Sequence, residues 1–264
     1  MPIITISRGS YHRAKAVAEK LARKLGYGCL SRDEVIENLG EFQAPEIKLV
    51  RNLHDAFSVL ERFPNGKERF VSAMRASILQ RLLEDNAIYH GLAGHYFIQD
   101  ISHVLKVRIV SDIDSRISKE VDRTGISLRD ARNLLLKDDE ERRKWCMVLY
   151  GIDIFDPINY HLVIKVDPLT EDDAVDIIAD TVARPAFQPT EASRRLLADL
   201  ALAARVRHAL FEYPSASVSA KAGSVLIGVK APEAQEKIIH SRIESILADI
   251  PEVERCDIRI DPYY

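Results

Sequence analysis

Gly9 and Lys15 stand between a β-branched run and a helical pattern, at the spacing of the phosphate-binding signature G-x-x-x-x-G-K-[ST]. Their chemistry would be anion capture. The free N–H groups and positive end of a helix attract phosphate, and a lysine at the helix entrance reaches its oxygens. Ala14 takes the place of the second glycine and Ala16 that of the hydroxyl residue. Position 14 therefore carries a Cβ where glycine would be free, and position 16 offers no oxygen to Mg²⁺. Arg8 and Arg13 add positive charge beside Lys15, and Ser10 lies between them in the turn. The plain alternative is a surface helix with ordinary basic residues on its exposed side.

Other chemistry-bearing groups read more simply. His90, His95 and His103 surround Gly91-Leu92-Ala93-Gly94, but at no zinc spacing and with no cysteine nearby, so they read as turn or core histidines. Ser10 and His12 have no third group to orient a nucleophile–base pair. The charged run Glu140 to Lys144 reads, on pattern alone, as a solvated helix pairing along its face. Arg116, just after Asp112, reads equally as an anion contact or as surface charge.

These residues need elements to position them. Ile3 to Ile6 reads as a buried strand, and Val17, Leu21 and Leu25 recur at helical spacing before Gly26. Ser31 and Glu34 fit a capping box opening the next helix. Pro45, Pro64 and Asn65-Gly66 mark turns before a helix through Phe70, Met74, Ile78 and Leu82. Ala87–His90, Val104–Val110 and Tyr160–Val166 read as strands, with helices from Ser115, over 127–145 and from Thr170. Strands alternating with helices predict an α/β fold, a parallel sheet with helices on both faces. Ligands then gather at the carboxyl ends of the strands, where Ser7-Arg8, Gly91 and Asp112 fall.

Arg184-Pro185-Ala186-Phe187-Gln188-Pro189 interrupts any regular pattern and predicts a junction between a domain over 1–187 and one over 190–264. The second reads helix, strand, strand, helix, strand: a small α+β unit of order αββαβ. The stripe Leu196, Leu197, Leu200 and Ala204 is expected to pack that unit's own core. Arg194, Arg195, Arg205 and Arg207 on the same helix leave peripheral contact with an anionic surface open.

The 264 residues are 47% hydrophobic and 29% charged, the balance of a soluble globular protein. A net charge of -3 gives no bulk attraction to nucleic acid, so an anion site must come from local clustering. No apolar run approaches membrane-spanning length and no signal peptide is recognisable. Three widely separated cysteines form neither a disulfide framework nor a metal pair, so a reducing cytoplasm is expected.

Ile4-Thr5-Ile6-Ser7-Arg8 with the following helix, Asn86 to Gly94, Asp139-Glu140-Glu141-Arg142 with Trp145, and Asp156 to Ile164 follow one another in an order that resembles the cytidylate-kinase-like family of nucleoside monophosphate kinases. The resemblance covers about residues 1–187 and implies a P-loop kinase fold. It implies ATP as phosphoryl donor, Mg²⁺ brought with the nucleotide, and CMP or a similar nucleotide as acceptor. Donor phosphates would lie on Gly9, Lys15 and the backbone between them, with Arg8, Ser10, Arg13, Ala14 and Ala16 around them and Arg116 on the donor side. A charged lid over Lys137 to Trp145 would supply Arg142 as the catalytic arginine beside Lys15. Arg32, Asp33 and Arg75 would contact the acceptor. The first-loop substitutions keep open a catalytically weakened kinase fold acting as a nucleotide-responsive binding or regulatory protein. Residues 190–264, with Lys221-Ala222-Gly223-Ser224-Val225-Leu226-Ile227, resemble a BON domain. That implies a module contacting a protein, a ligand or a membrane surface.

Overall fold

The computed structural model of the chain describes residues 2–9, 11–38, 60, 62, 65–91, 94–98 and 100–263. Pro45 and Pro64, two of the expected turns, lie outside the described residues, as does Ser10.

Five strands form one sheet: β1 (Ile3–Arg8), β2 (Gly28–Ser31), β3 (Ala87–Gly91), β4 (Val104–Val110) and β5 (Leu162–Lys165). Their order is β2-β3-β1-β4-β5 and every pairing is parallel. β1 is therefore central, flanked by β3 and β4, and its residues are buried throughout. Alternation along β1 and β4 divides the core. Ile4, Ile6, Leu105, Val107 and Ile109 face α1 (Tyr11–Leu25) and a second helix over Glu171–Val182. Ile3 and Val104 face the opposite layer, which holds Phe70, Met74, Leu79, Trp145 and Cys146.

Local chemistry sets the element ends. Ser31 and Glu34 form the expected reciprocal cap at the start of α2 (Arg32–Asn38): the Ser31 N–H donates to Glu34 Oε2 at 2.6 Å, and the Glu34 N–H to Ser31 Oγ at 3.1 Å. α3 (Gly66–Leu82) precedes Asp85 and Asn86, both at positive φ, a conformation that short polar side chains tolerate. α4 (Ile113–Thr124) stops at Gly125 with φ 73°, and α5 (Leu128–Tyr150) at Gly151 with φ 68°. Thr170 and Asp173 cap α6 (Glu171–Val182) reciprocally.

After the Pro185–Phe187 turn, α7 (Glu191–Ala209) leads into β6 (Ser217–Lys221), β7 (Ser224–Pro232), α8 (Glu236–Ala248) and β8 (Arg255–Tyr263). These strands make a second sheet of order β6-β7-β8, with β6-β7 antiparallel and β7-β8 parallel. The small αββαβ unit is thus present, but α7 does not serve it alone. Leu197, Ala201 and Ala204 join the core of α3 and Trp145, whereas Val206 and Leu210 join that of β7 and α8. The expected single-core stripe is corrected by this division. The helix has two apolar faces, and the face carrying Leu197 finds its partner in the large unit. No described helix is long and apolar enough to cross a membrane.

Candidate functional site

The carboxyl edge of the large sheet carries most of the singled-out residues. Gly9 leaves β1 with its N–H donating to the Ile109 carbonyl at 2.9 Å. A Cβ at Gly9 would stand 2.7 Å from that oxygen and 2.9 Å from Val110 Cγ1, so close packing on β4 demands glycine here. α1 is already helical from Tyr11. Ala14 therefore lies in its first turn, 0% exposed among Val17, Ala18 and Ile4, and Ala16 is half-buried one residue past Lys15. The Lys15 side chain is 50% exposed and its Nζ stands 3.7 Å from Glu19, one turn along the helix.

Three guanidinium groups converge beside this helix. Arg13 is tied to Asp167 at 3.3 Å, Ser115 at 3.3 Å and Glu171 at 3.5 Å. Arg116 of α4 grips Asp139 of α5 with two bonds of 2.6 and 2.9 Å, and Arg142 lies 3.6 Å from the same carboxylate. Together with Lys119, Arg123, Ser111 and Asp138 they line a cleft of about 460 Å³. All five of its Arg and Lys residues stand in ion pairs, with Asp139, Asp167, Glu171 and Glu120, so an anion entering the cleft would have to displace a carboxylate. Burial holds the Arg142 pKa below the usual guanidinium range against the pull of Asp139. Burial works to raise Asp167, but bonds from Ser111 and the Asp112 N–H, together with the Arg13 charge, hold it below the usual carboxylate range. His12 stands 4.0 Å from Glu120; burial, then the charge of Arg123, lowers its pKa.

The remaining residues divide. Arg8 is buried at the end of β1 and donates to the His90 carbonyl at 3.4 Å. Arg32 is buried at the start of α2, with its guanidinium 6.0 Å from the Trp145 ring centroid and 3.7 Å from exposed Asp33. Its Nη2 is buried without a hydrogen-bond partner. Burial raises the Tyr89 hydroxyl pKa, and the charges of Arg32 and Arg8 oppose that rise. Arg75 is elsewhere. It lines a separate cleft of about 440 Å³ with Ser72, Leu200 and Arg207 and with Ser217 and Ser219 of β6, sharing no residue with the first cleft.

A polar cluster escaped the sequence reading. Arg108, 4% exposed in the middle of β4, donates to Ser7 Oγ at 3.2 Å, and its guanidinium lies 5.1 Å from the Phe155 ring centroid. The Tyr160 hydroxyl contacts Ser7 at 3.2 Å and donates to the Ile154 carbonyl at 3.0 Å, while its ring packs against His95. The available signal was Lys106 and Arg108 at alternate positions of a strand expected to be covered on both faces. His90 and His95 are buried at the same edge. Burial pushes both pKa values down to about 4, helped at His90 by the charge of Arg8 and at His95 by that of Lys106. They are neutral edge residues, and among the described residues no group of three potential ligands could hold a metal ion.

Comparison with known proteins follows the large sheet. Residues 3–168 match the cytidylate kinase-like family. The cytidylate kinase of Sulfolobus acidocaldarius is 24% identical over 170 residues, spanning 64% of this chain and 87% of that protein. A crystal structure of an uncharacterized protein from Eubacterium ventriosum covers 69% of this chain and 97% of its own, with a TM-score of 0.53 and 18% identity. Shikimate kinase from Bacteroides thetaiotaomicron covers 69% and 99%, with a TM-score of 0.44 and 12% identity. The sheet order, the helices on both faces and a family match over more than half of the sequence agree: the chain belongs to the cytidylate kinase-like family.

Proposed function

We propose that this protein binds the phosphates of a nucleotide such as ATP in the cleft between α1, α4 and α5, and acts as a nucleotide-responsive binding or regulatory protein on a kinase fold with weak phosphoryl transfer. The observation that carries the reading is α1. Helix from Tyr11 onward, with Ala14 sealed in the core and Lys15 turned to Glu19, puts the backbone N–H groups of residues 12–15 in helical turns rather than an open cradle. Anion binding then falls to side chains. Arg116 and Arg142 would exchange Asp139 for phosphate oxygens, which their planar forks match, with Arg13 beside them. Arg32 and Asp33, side by side at the start of α2, would contact an acceptor nucleotide. Arg75 would serve an acceptor only by reaching out of its own cleft.

The second reading is ATP-dependent transfer to CMP, the reaction the family name describes. Arg142 favours it, because phosphoryl transfer depends mainly on positioning and charge neutralisation. Mg²⁺ would arrive with the nucleotide and supply further charge neutralisation. The residues here do not build a seat for it, since Ala16 has no hydroxyl and the described carboxylates form no ligand cluster. No step is therefore routed through the metal. Residues 190–264 are proposed as the BON-like unit, on the strength of the αββαβ order, with the junction at 185–189.

Calorimetric titration of the full chain with ATP tests the site, and ATP consumption across a panel of nucleoside monophosphates tests the chemistry. Arg116→Ala and Arg142→Ala should each weaken ATP binding roughly tenfold. Consumption should stay near background. Unchanged affinity in both variants would move the site. Turnover within about 1–100 s⁻¹, the range of working kinases, would establish the second reading instead.

A further inference from the structure

Among the described residues β8 is an edge strand of the small sheet, and it runs for nine residues. An uncovered strand of that length presents a row of unpaired backbone groups, a template for another strand. Its sequence from 255 to 261 is Arg-Cys-Asp-Ile-Arg-Ile-Asp. Read about Ile258, the charges are complementary to their own reversal: Arg255 mirrors Asp261 and Asp257 mirrors Arg259. We propose that β8 is a dimerisation edge, pairing antiparallel with β8 of a second copy about a two-fold axis through Ile258.

In this register Arg255 faces Asp261 of the other copy and Asp257 faces its Arg259. Two-fold symmetry doubles each contact, giving four cross-strand ion pairs on one face of the joined sheet. Shifting by one residue would throw charged side chains opposite apolar ones, and shifting by two would set like charges against each other. The pattern therefore specifies a register as well as a partner. Arg255, Asp257, Arg259 and Asp261 are all exposed, and Arg259 presently reaches Asp257 of its own strand at 3.2 Å.

The other face agrees. Cys256, Ile258 and Ile260 stand in register with Val225, Ile227 and Val229 of β7 and so point the same way. Val225, Ile227 and Val229 are buried at 2% exposure or less, whereas Ile258 and Ile260 are half-buried and Cys256 is exposed. The apolar layer is complete over β7 and thins at β8. Ile238 in the first turn of α8, the helix packed on this face, is 69% exposed. A second copy would continue the sheet across the axis as β6-β7-β8-β8-β7-β6 and place Ile258 against Ile258 and Ile260 against Cys256. A strand of another protein would need no such self-complementarity.

Sedimentation of the full chain over a range of concentrations measures the association. Arg259→Asp places carboxylates opposite each other at two symmetric positions and should raise the dimer dissociation constant roughly tenfold or more. Asp257→Arg combined with Arg259→Asp restores the complement and should restore dimerisation. Covalent trapping reads the register. Residues directly opposite have Cα atoms about 4.5–5.5 Å apart, within disulfide reach. Ile258→Cys in a Cys256→Ser background should therefore give a cross-linked dimer under a mild oxidant. The native Cys256, lying roughly 13 Å from its own mate in this register, should not. A chain that stays monomeric at every concentration overturns the proposal. So does a dimer that withstands Arg259→Asp, or trapping through Cys256 in place of the thiol introduced at 258.

Discussion

Replacing Ala14 with glycine restores the second glycine of the Walker spacing, yet the structure predicts a loss of stability with no loop gained. Ala14 is the fourth residue of α1 and is fully buried against Val17, Ala18 and Ile4. Glycine in a helix costs up to about 1 kcal/mol relative to alanine, less in the first turn. Removing a buried methyl forfeits about 0.8 kcal/mol of transfer free energy. The sum is about 1.5 kcal/mol, or about 3–6 °C in melting temperature for a chain of this size. Trp145 is the sole tryptophan, 1% exposed and edge-on to Phe70 at 5.6 Å, so its fluorescence reports the unfolding of the sheet's opposite layer. A urea titration should show the midpoint falling while the slope stays fixed. An unchanged or raised midpoint, accompanied by tighter ATP binding, would refute the reasoning and mean that residues 9–14 work as an open loop.

Gly9→Ala should be worse, costing about 2 kcal/mol or more, because its Cβ would press on the Ile109 backbone oxygen at 2.7 Å; a near-neutral melting temperature would contradict that packing. The histidines at the sheet edge set an acid limit. His90 and His95 have folded pKa values of about 4 against about 6.5 when unfolded, so the unfolded chain binds more protons between those values. Stability should fall as the pH drops through about 6.5 towards 4, and His90→Gln should flatten part of that slope; a flat urea midpoint over that range would rule it out. A chain ending at residue 188 keeps Arg13, Arg116 and Arg142 but strips Leu197, Ala201 and Ala204 from α3, so it should aggregate or unfold at lower urea than the full chain. A fragment as stable as the parent would show that α7 contributes little to the large core.

Much of the fold was legible because it is written in local signals. The run Val104–Val110 is the strand its β-branched residues predict, and the Ser31–Glu34 cap forms as its spacing demands. The strand expected over Tyr160–Val166 is shorter, Leu162–Lys165, because the Tyr160 hydroxyl is drawn to Ser7 and the Ile154 carbonyl while the His161 ring accepts the Lys106 N–H at 3.0 Å. Arg13, Arg116 and Arg142 line one cleft, and each arrives already paired with a carboxylate. Sequence spacing is blind to such pairing. Asp139 and Asp167 look like ordinary charges until the helices bring them to the arginines. Arg75 lines a cleft with residues of α7 and β6, a neighbourhood that helix spacing does not announce. The division of α7 between two cores was hidden too, because a stripe of leucine and alanine announces burial without naming the partner.

That shared helix bears on how the protein is made and cleared. α7 emerges from the ribosome after the whole kinase-like sheet and before the small one. The large core stays short of Leu197, Ala201 and Ala204 until synthesis has passed residue 204. Vectorial folding that would otherwise finish with β5 and α6 must wait for about the first three-quarters of α7, leaving the α3 surface uncovered during that interval. A protease that removes the C-terminal unit through α7 reopens the same surface. Damage confined to the last seventy or so residues is therefore felt by the kinase-like half, and the chain is disposed to be discarded whole.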